Sequence, residues 1–314
     1  MCIRDRYSKA WKYFNSVEDG ARVSKGWFKV VPAEYLNEGK YDDDEDFWYY
    51  ADGSGNLYAG EFKTIKGKKY AFRNDGRMLT GLKFILEDDD NDNLTVYADD
   101  DGTYNFDNED DFLDNAVDFY EPGGYKCYYF GGGDDGAMRT NKTTVEIDGE
   151  NHNFYFEKSG SHKGAGVTGE KDDKLYQSGM LLKADSDDKY IVVDKTTKYK
   201  TVDGQKVLDY VTYNKLDDAK DFMAQDDVLE SNTAVDADGK IDLGNNNKKK
   251  AEDISEAYTI RYKAYGSSDM TTHEYFLVNT SGKVIDNRGK NKDGSDYYYV
   301  TDNSGKITNI YVED

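Results

Sequence analysis

Short runs of aromatic and β-branched residues recur along the chain and alternate with polar turns that close on glycine. The repeat is clearest between residues 47–60 and 68–81, because these two segments align at a period of 21 residues without a gap. The aligned pairs are Gly55 with Gly76, Leu57 with Met78, and Gly60 with Gly81. Each unit consists of an aromatic strand, a polar turn ending in glycine, a short strand with one apolar residue, and a second glycine.

The same pattern returns with looser spacing in segments 127–140, 154–160, 275–283 and 297–306. Aromatic and β-branched residues favour strands, and Asn-Asp-Gly or Ser-Gly supplies a turn in which φ becomes positive. Each unit is therefore predicted to be a β-hairpin. Since a single hairpin cannot bury its rings alone, neighbouring hairpins must share them. The pattern predicts an all-β fold, an elongated solenoid of degenerate hairpin repeats of about 20 residues.

Residues 84–125 interrupt this pattern, because they hold fifteen carboxylates and no Lys or Arg. Hydrophobic residues persist in the segment, so it is predicted to form degenerate hairpins with acidic turns rather than a tail. These residues are Val96, Tyr97, Tyr104, Phe106, Phe112, Phe119 and Tyr120.

A second interruption begins at Asn214, which is a candidate N-cap. Four apolar residues follow at helical spacing and predict a short helix between residues 214 and 230. They are Leu216, Ala219, Phe222 and Met223. Residues 231–253 are polar and poor in aromatics, which predicts a loop or linker, and an apolar alternation restarts strand structure at Tyr258.

These patterns divide the chain into four parts. Residues 1–25 are expected to be a leader of a fragment, and residues 1–6 resemble the short peptide produced when a sequencing read runs into adapter sequence. A genuine protein start is the alternative interpretation. Hairpin repeats are predicted over 26–200, an insertion with the short helix and polar linker over 201–255, and terminal hairpin repeats over 256–314.

Composition explains how such a polar chain can fold. Its 314 residues carry a net charge of −22 and a mean hydropathy of −0.92, which alone would suggest disorder. Disordered chains are poor in aromatics, however, and this chain contains 28 Tyr. The acidic balance argues against nucleic acid as a partner, because a phosphate backbone selects an excess of Lys and Arg. No stretch approaches the ~18–20 apolar residues of a membrane span.

The sequence gives little support to metal or catalytic chemistry. Two Cys and three scattered His offer no zinc spacing, so neither a metal site nor a cofactor is predicted. The acidic run from Asp88 to Asp99 partly matches a calcium loop, but it lacks the central glycine and the final Glu, and solvated turns are the preferred interpretation. No nucleophile motif accompanies the histidines, and carboxylate pairs are too abundant to indicate a glycosidase. The chain is not expected to be an enzyme.

Three segments resemble the cell wall-binding repeat of Gram-positive bacteria: Gly26-Trp27-Phe28, Trp48-Tyr49-Tyr50 and Met78-Leu79-Thr80-Gly81. That repeat occurs in choline-binding modules, glucan-binding domains and the C-terminal repeats of large clostridial toxins. The resemblance is most specific over residues 26–85 and covers about half of the chain. It implies a hairpin solenoid, secretion, and non-covalent attachment to wall polymer, either choline-bearing teichoic acid or polysaccharide.

In choline-binding members of this family the ligand lies between adjacent hairpins, in a cage of aromatic rings. The resemblance places the corresponding rings here at Trp27, Trp48, Tyr50, Phe62 and Tyr70. All three Trp of the chain lie in its first 48 residues, so a complete cage can form at most once, in this region. The alternative is that these rings form only the core between hairpins.

The leading hypothesis is a non-catalytic wall-binding module of a secreted bacterial surface protein. A second hypothesis is an adhesin or toxin-like module that binds host glycans. A third is a structural stalk, in which degenerate repeats only space other domains.

Overall fold

A computed structural model describes residues 2–4, 10–14, 20–88, 93–96, 106–216, 229–262, 270–286, 289–294 and 296–314. In this part of the chain the structure is mostly antiparallel β-hairpins, which confirms the predicted all-β class. The chain divides into two compact units. The first comprises Met1–Glu109, Pro122–Asn151 and Phe156–Gly166, and the second comprises Asp110–Glu121, His152–Tyr155 and Val167–Asp314.

The first unit is built of short hairpins. Its strands are β1 (Cys2–Arg4), β2 (Trp11–Tyr13), β3 (Gly26–Val30), β4 (Phe47–Ala51), β5 (Glu61–Ile65), β6 (Lys68–Phe72), β7 (Leu82–Asp88), β8 (Asn93–Val96), β9 (Lys126–Tyr129) and β10 (Asn141–Ile147). Strand β1 pairs with β2, β3 with β4, β5 with β6, and β7 with both β8 and β9. A short helix, α1 (Glu38–Asp42), lies between β3 and β4.

The second unit has longer strands and takes most of helix α2 (Glu109–Gly123). Its strands are β11 (Glu150–Phe156, of which the middle belongs here), β12 (Gly169–Lys171), β13 (Lys174–Gln177), β14 (Met180–Leu181), β15 (Tyr190–Val202), β16 (Gln205–Leu216), β17 (Leu229–Ser231), β18 (Lys240–Asp242), β19 (Lys248–Lys250), β20 (Ile254–Ile260), β21 (Thr271–Asn279), β22 (Lys290–Lys292), β23 (Tyr297–Thr301) and β24 (Ile307–Glu313). A 3₁₀ turn spans Ala251–Asp253. Within the unit the strand orders are β11-β14-β13-β12, β16-β15-β21, β17-β20-β24-β23-β22 and β18-β19.

Four of the predicted glycine turns share one geometry. The residue that ends the aromatic strand, or directly follows it, accepts a hydrogen bond at its carbonyl oxygen from the N–H of the glycine three positions later, at 2.9–3.1 Å. Each of these glycines has φ between +74° and +89°, a region that glycine adopts without steric cost. The pairs are Asp52 with Gly55, Arg73 with Gly76, Asn279 with Gly282, and Asp302 with Gly305.

The hairpins of the first unit bury rings on both faces. In β3–β4, Trp27 lies opposite Tyr50 and Phe28 lies opposite Tyr49, so these two pairs point to opposite faces. The Phe28–Tyr49 pair is stacked at 5.7 Å in a cluster with rings from β2 and β4. The Trp27 face packs instead on β5–β6. Neighbouring hairpins therefore share rings, as the repeat pattern predicts.

Helix α2 replaces the degenerate hairpins predicted for residues 109–123. Four of its apolar residues are buried, at the spacing of one helix face: Phe112, Leu113, Ala116 and Phe119. The carboxylates of Glu109, Asp110 and Asp111 fall in the first turn, where the helix dipole favours negative charge. The carboxylates therefore lie where they stabilise the start of a helix, and the prediction of hairpins is wrong for residues 109–123. Tyr97 and Tyr104 lie outside the described residues.

The predicted helix start at Asn214 is also wrong. Asn214 lies inside β16 and is paired with Asp194 of β15, and Leu216 is paired with Val192. Strand pairing of eleven of the twelve residues of β16 outweighs the weak capping preference of one Asn. The rest of the predicted helix, residues 217–228, lies outside the described residues.

The polar segment 231–253, predicted as a loop, contains the hairpin β18–β19. In the turn that leads into β18, the carbonyl oxygen of Asp236 accepts a hydrogen bond from the Gly239 N–H at 3.0 Å, in the same geometry as the turns of the aromatic repeats. Ile241 and Leu243 are buried beside it. Two apolar residues and a good turn suffice for a hairpin that packs on existing strands, although they give no aromatic signal. Tyr258 lies in β20, as predicted.

Candidate functional site

The candidate site is an aromatic cluster centred on Trp27, between hairpins β3–β4 and β5–β6. The Trp27 ring centroid lies 6.4 Å from that of Trp48, 5.0 Å from that of Tyr50 and 4.9 Å from that of Tyr70. All three of these contacts are edge-type, at interplanar angles of 63–90°, and Phe72 stacks at 5.9 Å. Four of the five predicted site residues are thus brought together.

The cluster has a buried base and a half-exposed rim. Tyr70 is 8% exposed and Phe72 is 0% exposed, so both belong to the core between the hairpins. Trp27, Trp48 and Tyr50 are only half-buried. The structural alternative, that the rings form core, therefore holds for Tyr70, while the three rim rings still present surface to solvent.

One cation of the chain itself already lies beside a rim ring. The Lys29 Nζ lies 5.9 Å from the Trp48 ring centroid and forms an ion pair of 3.1 Å with Asp134. Burial raises the pKa of the Tyr70 phenol, and the nearby Asp135 carboxylate adds to the effect, so the phenol stays neutral. Such rings bind cations by their faces, and they offer flat apolar surface to the C–H groups of a sugar ring.

Phe62, the fifth predicted residue, lies in a different cluster. It is paired with Ala71, whereas Tyr70 is paired with Lys63, so Phe62 and Tyr70 point to opposite faces of the hairpin. The Phe62 ring packs against Tyr128 at 5.3 Å. The short turn between Ile65 and Lys68 sets the pairing register of β5 with β6. From this turn the sequence alone could have predicted that Phe62 and Tyr70 lie on opposite faces.

Lys69 covers the face of Phe62. The Lys69 Nζ lies 4.2 Å from the Phe62 ring centroid, and burial lowers the pKa of this amine, an effect that Glu87 opposes. Lys69 occupies the repeat position that Trp48 holds 21 residues earlier. At the second hairpin, therefore, the aromatic face is occupied by the chain's own ammonium group.

A groove of about 890 Å³ lies in the second unit, along strands β15, β16 and β21. Tyr199 and Tyr262 contribute rings to its lining. Glu274 lines it as well, accepts a hydrogen bond from Lys195 at 2.7 Å and forms an ion pair with Lys306. Rings beside ordered charged groups suit a polar ligand such as a saccharide.

His273 also lines this groove, and no motif along the chain distinguishes it from the other histidines. Its Nδ1 lies 2.9 Å from an oxygen of the buried Asp194, and Thr196 donates to the same carboxylate at 3.2 Å. The pairing of β15 with β21 aligns Thr196 with His273. Because these partners are 77 to 79 residues apart, no local spacing could have revealed them.

In the described part of the chain, no helix is long and apolar enough to cross a membrane. The same residues contain no group of three His, Cys, Asp or Glu side chains arranged to hold a metal ion. Most of the acidic run considered for calcium, residues 89–92 and 97–99, lies outside the described residues.

No protein-family model matches the sequence, and no curated protein matches it. Among solved structures, the chain is similar to choline binding protein F of Streptococcus pneumoniae, with 19% identity over 58% of this chain and 47% of that one and a TM-score of 0.21. It is also similar to a pneumococcal cell wall endolysin from phage Cp-1 complexed with choline, with 18% identity over 59% and 38% and a TM-score of 0.25. An alternansucrase in complex with isomaltononaose is 13% identical over 98% and 18%, with a TM-score of 0.22. The alignments span about half of these proteins or less, and at such low scores the fold rests on the strand pairing of this chain alone.

Proposed function

We propose that the chain is a non-catalytic cell wall-binding module of a secreted bacterial surface protein. One observation carries the proposal. Trp27, Trp48 and Tyr50 lie at the positions where the family resemblance expects ligand-binding rings, and all three stay half-exposed above a buried base. Rings needed only for the core would be covered on all sides, as Phe72 is.

The ligand that suits this surface is wall polymer, either choline-bearing teichoic acid or polysaccharide. A quaternary ammonium over a ring face gains roughly 0.5–2 kcal/mol, and Lys29 already demonstrates a cation at Trp48. One such site gives weak binding, so retention on a wall requires many copies of the polymer unit or further contacts. The module would act at the bacterial cell surface, outside the cell, with no nucleic acid as partner.

Retention on purified Gram-positive cell walls tests this function. Trp27→Ala and Trp48→Ala should release the protein from the walls, and free choline should compete if choline is the group bound. Trp11→Ala is a matched control, because Trp11 packs in the cluster on the other face of β3–β4. Urea unfolding of each variant separates loss of binding from loss of fold. Absence of wall retention by the folded wild-type chain would reject the proposal.

The groove in the second unit favours one alternative, a module that binds host glycans. Its rings and charged groups suit a saccharide without requiring choline. Binding to a glycan array by a chain that does not bind walls would support this alternative. A folded chain that binds neither would support a structural stalk.

A further inference from the structure

Three cations of the first unit are buried close together. Arg73, Arg77 and Lys83 are 7%, 3% and 7% exposed. Burying a charged group is unfavourable unless it is paired and hydrogen-bonded, and the chain as a whole carries a net charge of −22. Such a concentration of buried positive charge in an acidic protein calls for a balancing negative group.

Arg77 is held firmly but is not fully satisfied. Its Nε donates to Asp75 at 2.6 Å, and its guanidinium lies 4.9 Å from the Phe47 ring centroid. Its Nη1 is buried and has no hydrogen-bond partner among the described residues. A buried N–H group without an acceptor carries the full penalty of its lost hydration.

The turn that contains Arg73 and Arg77 does not need an arginine in order to close. In the corresponding turns, the side chains of Asp52, Asn279 and Asp302 each accept backbone N–H groups at 2.8–3.0 Å. Arg73 stands at that position and has no acceptor to offer. The turn still closes, with the Gly76 N–H donating to the Arg73 carbonyl at 2.9 Å. At Arg73, a buried cation therefore replaces the side-chain acceptor that stabilises the other turns.

The charged forms of Arg73 and Lys83 are destabilised by burial and by a neighbouring cation. Burial, with the repulsion of Arg77, lowers the pKa of Arg73 to about 9, and Asp75 only partly offsets this. Burial, with the repulsion of Arg73, lowers the pKa of Lys83 to about 8. A bound anion would oppose both pKa shifts, because it would offset the repulsion between the cations.

Both arginines line a cavity of about 320 Å³. Asn37, Asn74 and Thr95 add hydrogen-bonding side chains to its wall, and among the described residues Asp75 is its one lining carboxylate. We propose that this cavity binds a phosphate group beside the guanidinium groups of Arg73 and Arg77. Guanidinium groups match the geometry of phosphate oxygens and bind them strongly. This site is separate from the rings around Trp27, and its failure would leave the proposed wall-binding function intact.

Thermal unfolding of the full chain in rising inorganic phosphate, at constant ionic strength, tests the proposal. A ligand that binds only the native state raises the melting temperature as its concentration rises. Phosphate also stabilises proteins in general by exclusion from their surface, so Arg77→Met supplies the baseline. The wild type should gain several degrees more than Arg77→Met, and acetate should give no difference between them. Arg139→Met, which alters a half-exposed arginine paired with Asp135, should behave as the wild type.

Asn37→Asp keeps the test decisive if Arg77→Met does not fold. Asn37 caps α1 by accepting the Lys40 N–H at 3.0 Å, and Asp caps a helix equally well, so the variant adds only a negative charge to the cavity wall. It should weaken phosphate binding about tenfold or more. Glycerol 3-phosphate beside inorganic phosphate distinguishes an esterified phosphate from the free ion as the preferred form. Equal phosphate stabilisation of the wild type, Arg77→Met and Asn37→Asp would overturn the proposal.

Discussion

Hairpins β3–β4 and β5–β6 have strands of equal length and carry the same repeat, yet they present opposite surfaces to a ligand. The outward pair of the first hairpin is Trp27 and Trp48, two half-exposed rings. The corresponding pair of the second hairpin is Phe62 and Lys69, a ring with an ammonium group over it. Between the two hairpins Trp48 is replaced by Lys69 and Tyr50 by Ala71, so an open aromatic surface becomes one that the chain occupies itself.

The loops between the strands do not account for this difference. Strands β5 and β6 join through Lys66 and Gly67, both with positive φ, as in the two-residue turns that match strand twist. Strands β3 and β4 are joined by residues 31–46, which include α1. Both hairpins nevertheless keep five paired positions. The binding difference thus belongs to side chains on a shared backbone, and substitutions can test it.

The largest expected effect is on stability, and it should be shared by both hairpins. Trp27→Ala and Phe62→Ala each remove a ring from a cluster between hairpins, and each should lower the free energy of unfolding by about 3 kcal/mol. Only Trp27→Ala should also lower wall retention. Urea unfolding and retention on walls, measured on the same preparations, give both numbers. Loss of retention in a folded Phe62→Ala variant would break the comparison.

A smaller effect concerns Lys83, a buried amine on strand β7 beside the second hairpin. Its pKa in the folded chain is about 8, below the ordinary value for Lys, so between pH 8 and about 10.5 the unfolded chain binds more protons. Stability from this group should therefore rise with pH across that window, by up to about 3 kcal/mol in all. Lys83→Met should abolish this rise, measured as the difference from the wild type in urea unfolding at each pH. Lys29→Met, at an exposed amine, serves as control and should leave the slope unchanged.

Removing Lys69 should open the second hairpin. Lys69→Ala takes the ammonium from the Phe62 face, so the variant should lose about 0.5–2 kcal/mol of stability and gain a weak site for a quaternary ammonium ion. Titration with tetramethylammonium, followed by the aromatic NMR signals of the chain, measures the gain. If only the signals of the Trp27 cluster shift in both the variant and the wild type, then removing Lys69 does not create a cation site at Phe62.

The smallest effect should come from Lys29. Its ammonium is half-exposed and lies farther from the Trp48 ring than Lys69 lies from Phe62, so Lys29→Met should change stability by less than about 1 kcal/mol. The variant should bind a cation at least as well as the wild type, because a competing charge is gone. Weaker binding in Lys29→Met would mean that Lys29 itself contacts the ligand.

The two hairpins also show how far the sequence can predict the structure. The period of 21 residues identifies β4, β6 and the glycine turn after each of them, because aromatic runs and turn glycines act locally. The position of Phe62 was also within reach, since the register set by Lys66 and Gly67 places it opposite Ala71. The family resemblance groups Phe62 with Tyr70, because repeat motifs alone do not indicate which face of a strand each residue occupies.

Other features depended on information that the local pattern lacks. The local pattern does not predict helix α2, because many carboxylates lie between the apolar residues, beginning at Phe112, that form its buried face. The groove of the second unit forms where β15 pairs with β21, and His273 meets Asp194 only there. The cavity beside Arg77 likewise forms by packing of three separate segments. Such sites require tertiary structure, because no spacing along the chain encodes them.

The central claim is that the open aromatic face of β3–β4 binds wall polymer and that the face of β5–β6 does not because Lys69 covers it. Reciprocal exchange of the two residue types tests this most directly, by measuring the fraction of folded protein retained on purified Gram-positive cell walls. The account predicts that Trp48→Lys loses retention and that Lys69→Trp increases it above the wild type. Unchanged retention by a folded Trp48→Lys variant, with no gain from Lys69→Trp, would contradict it.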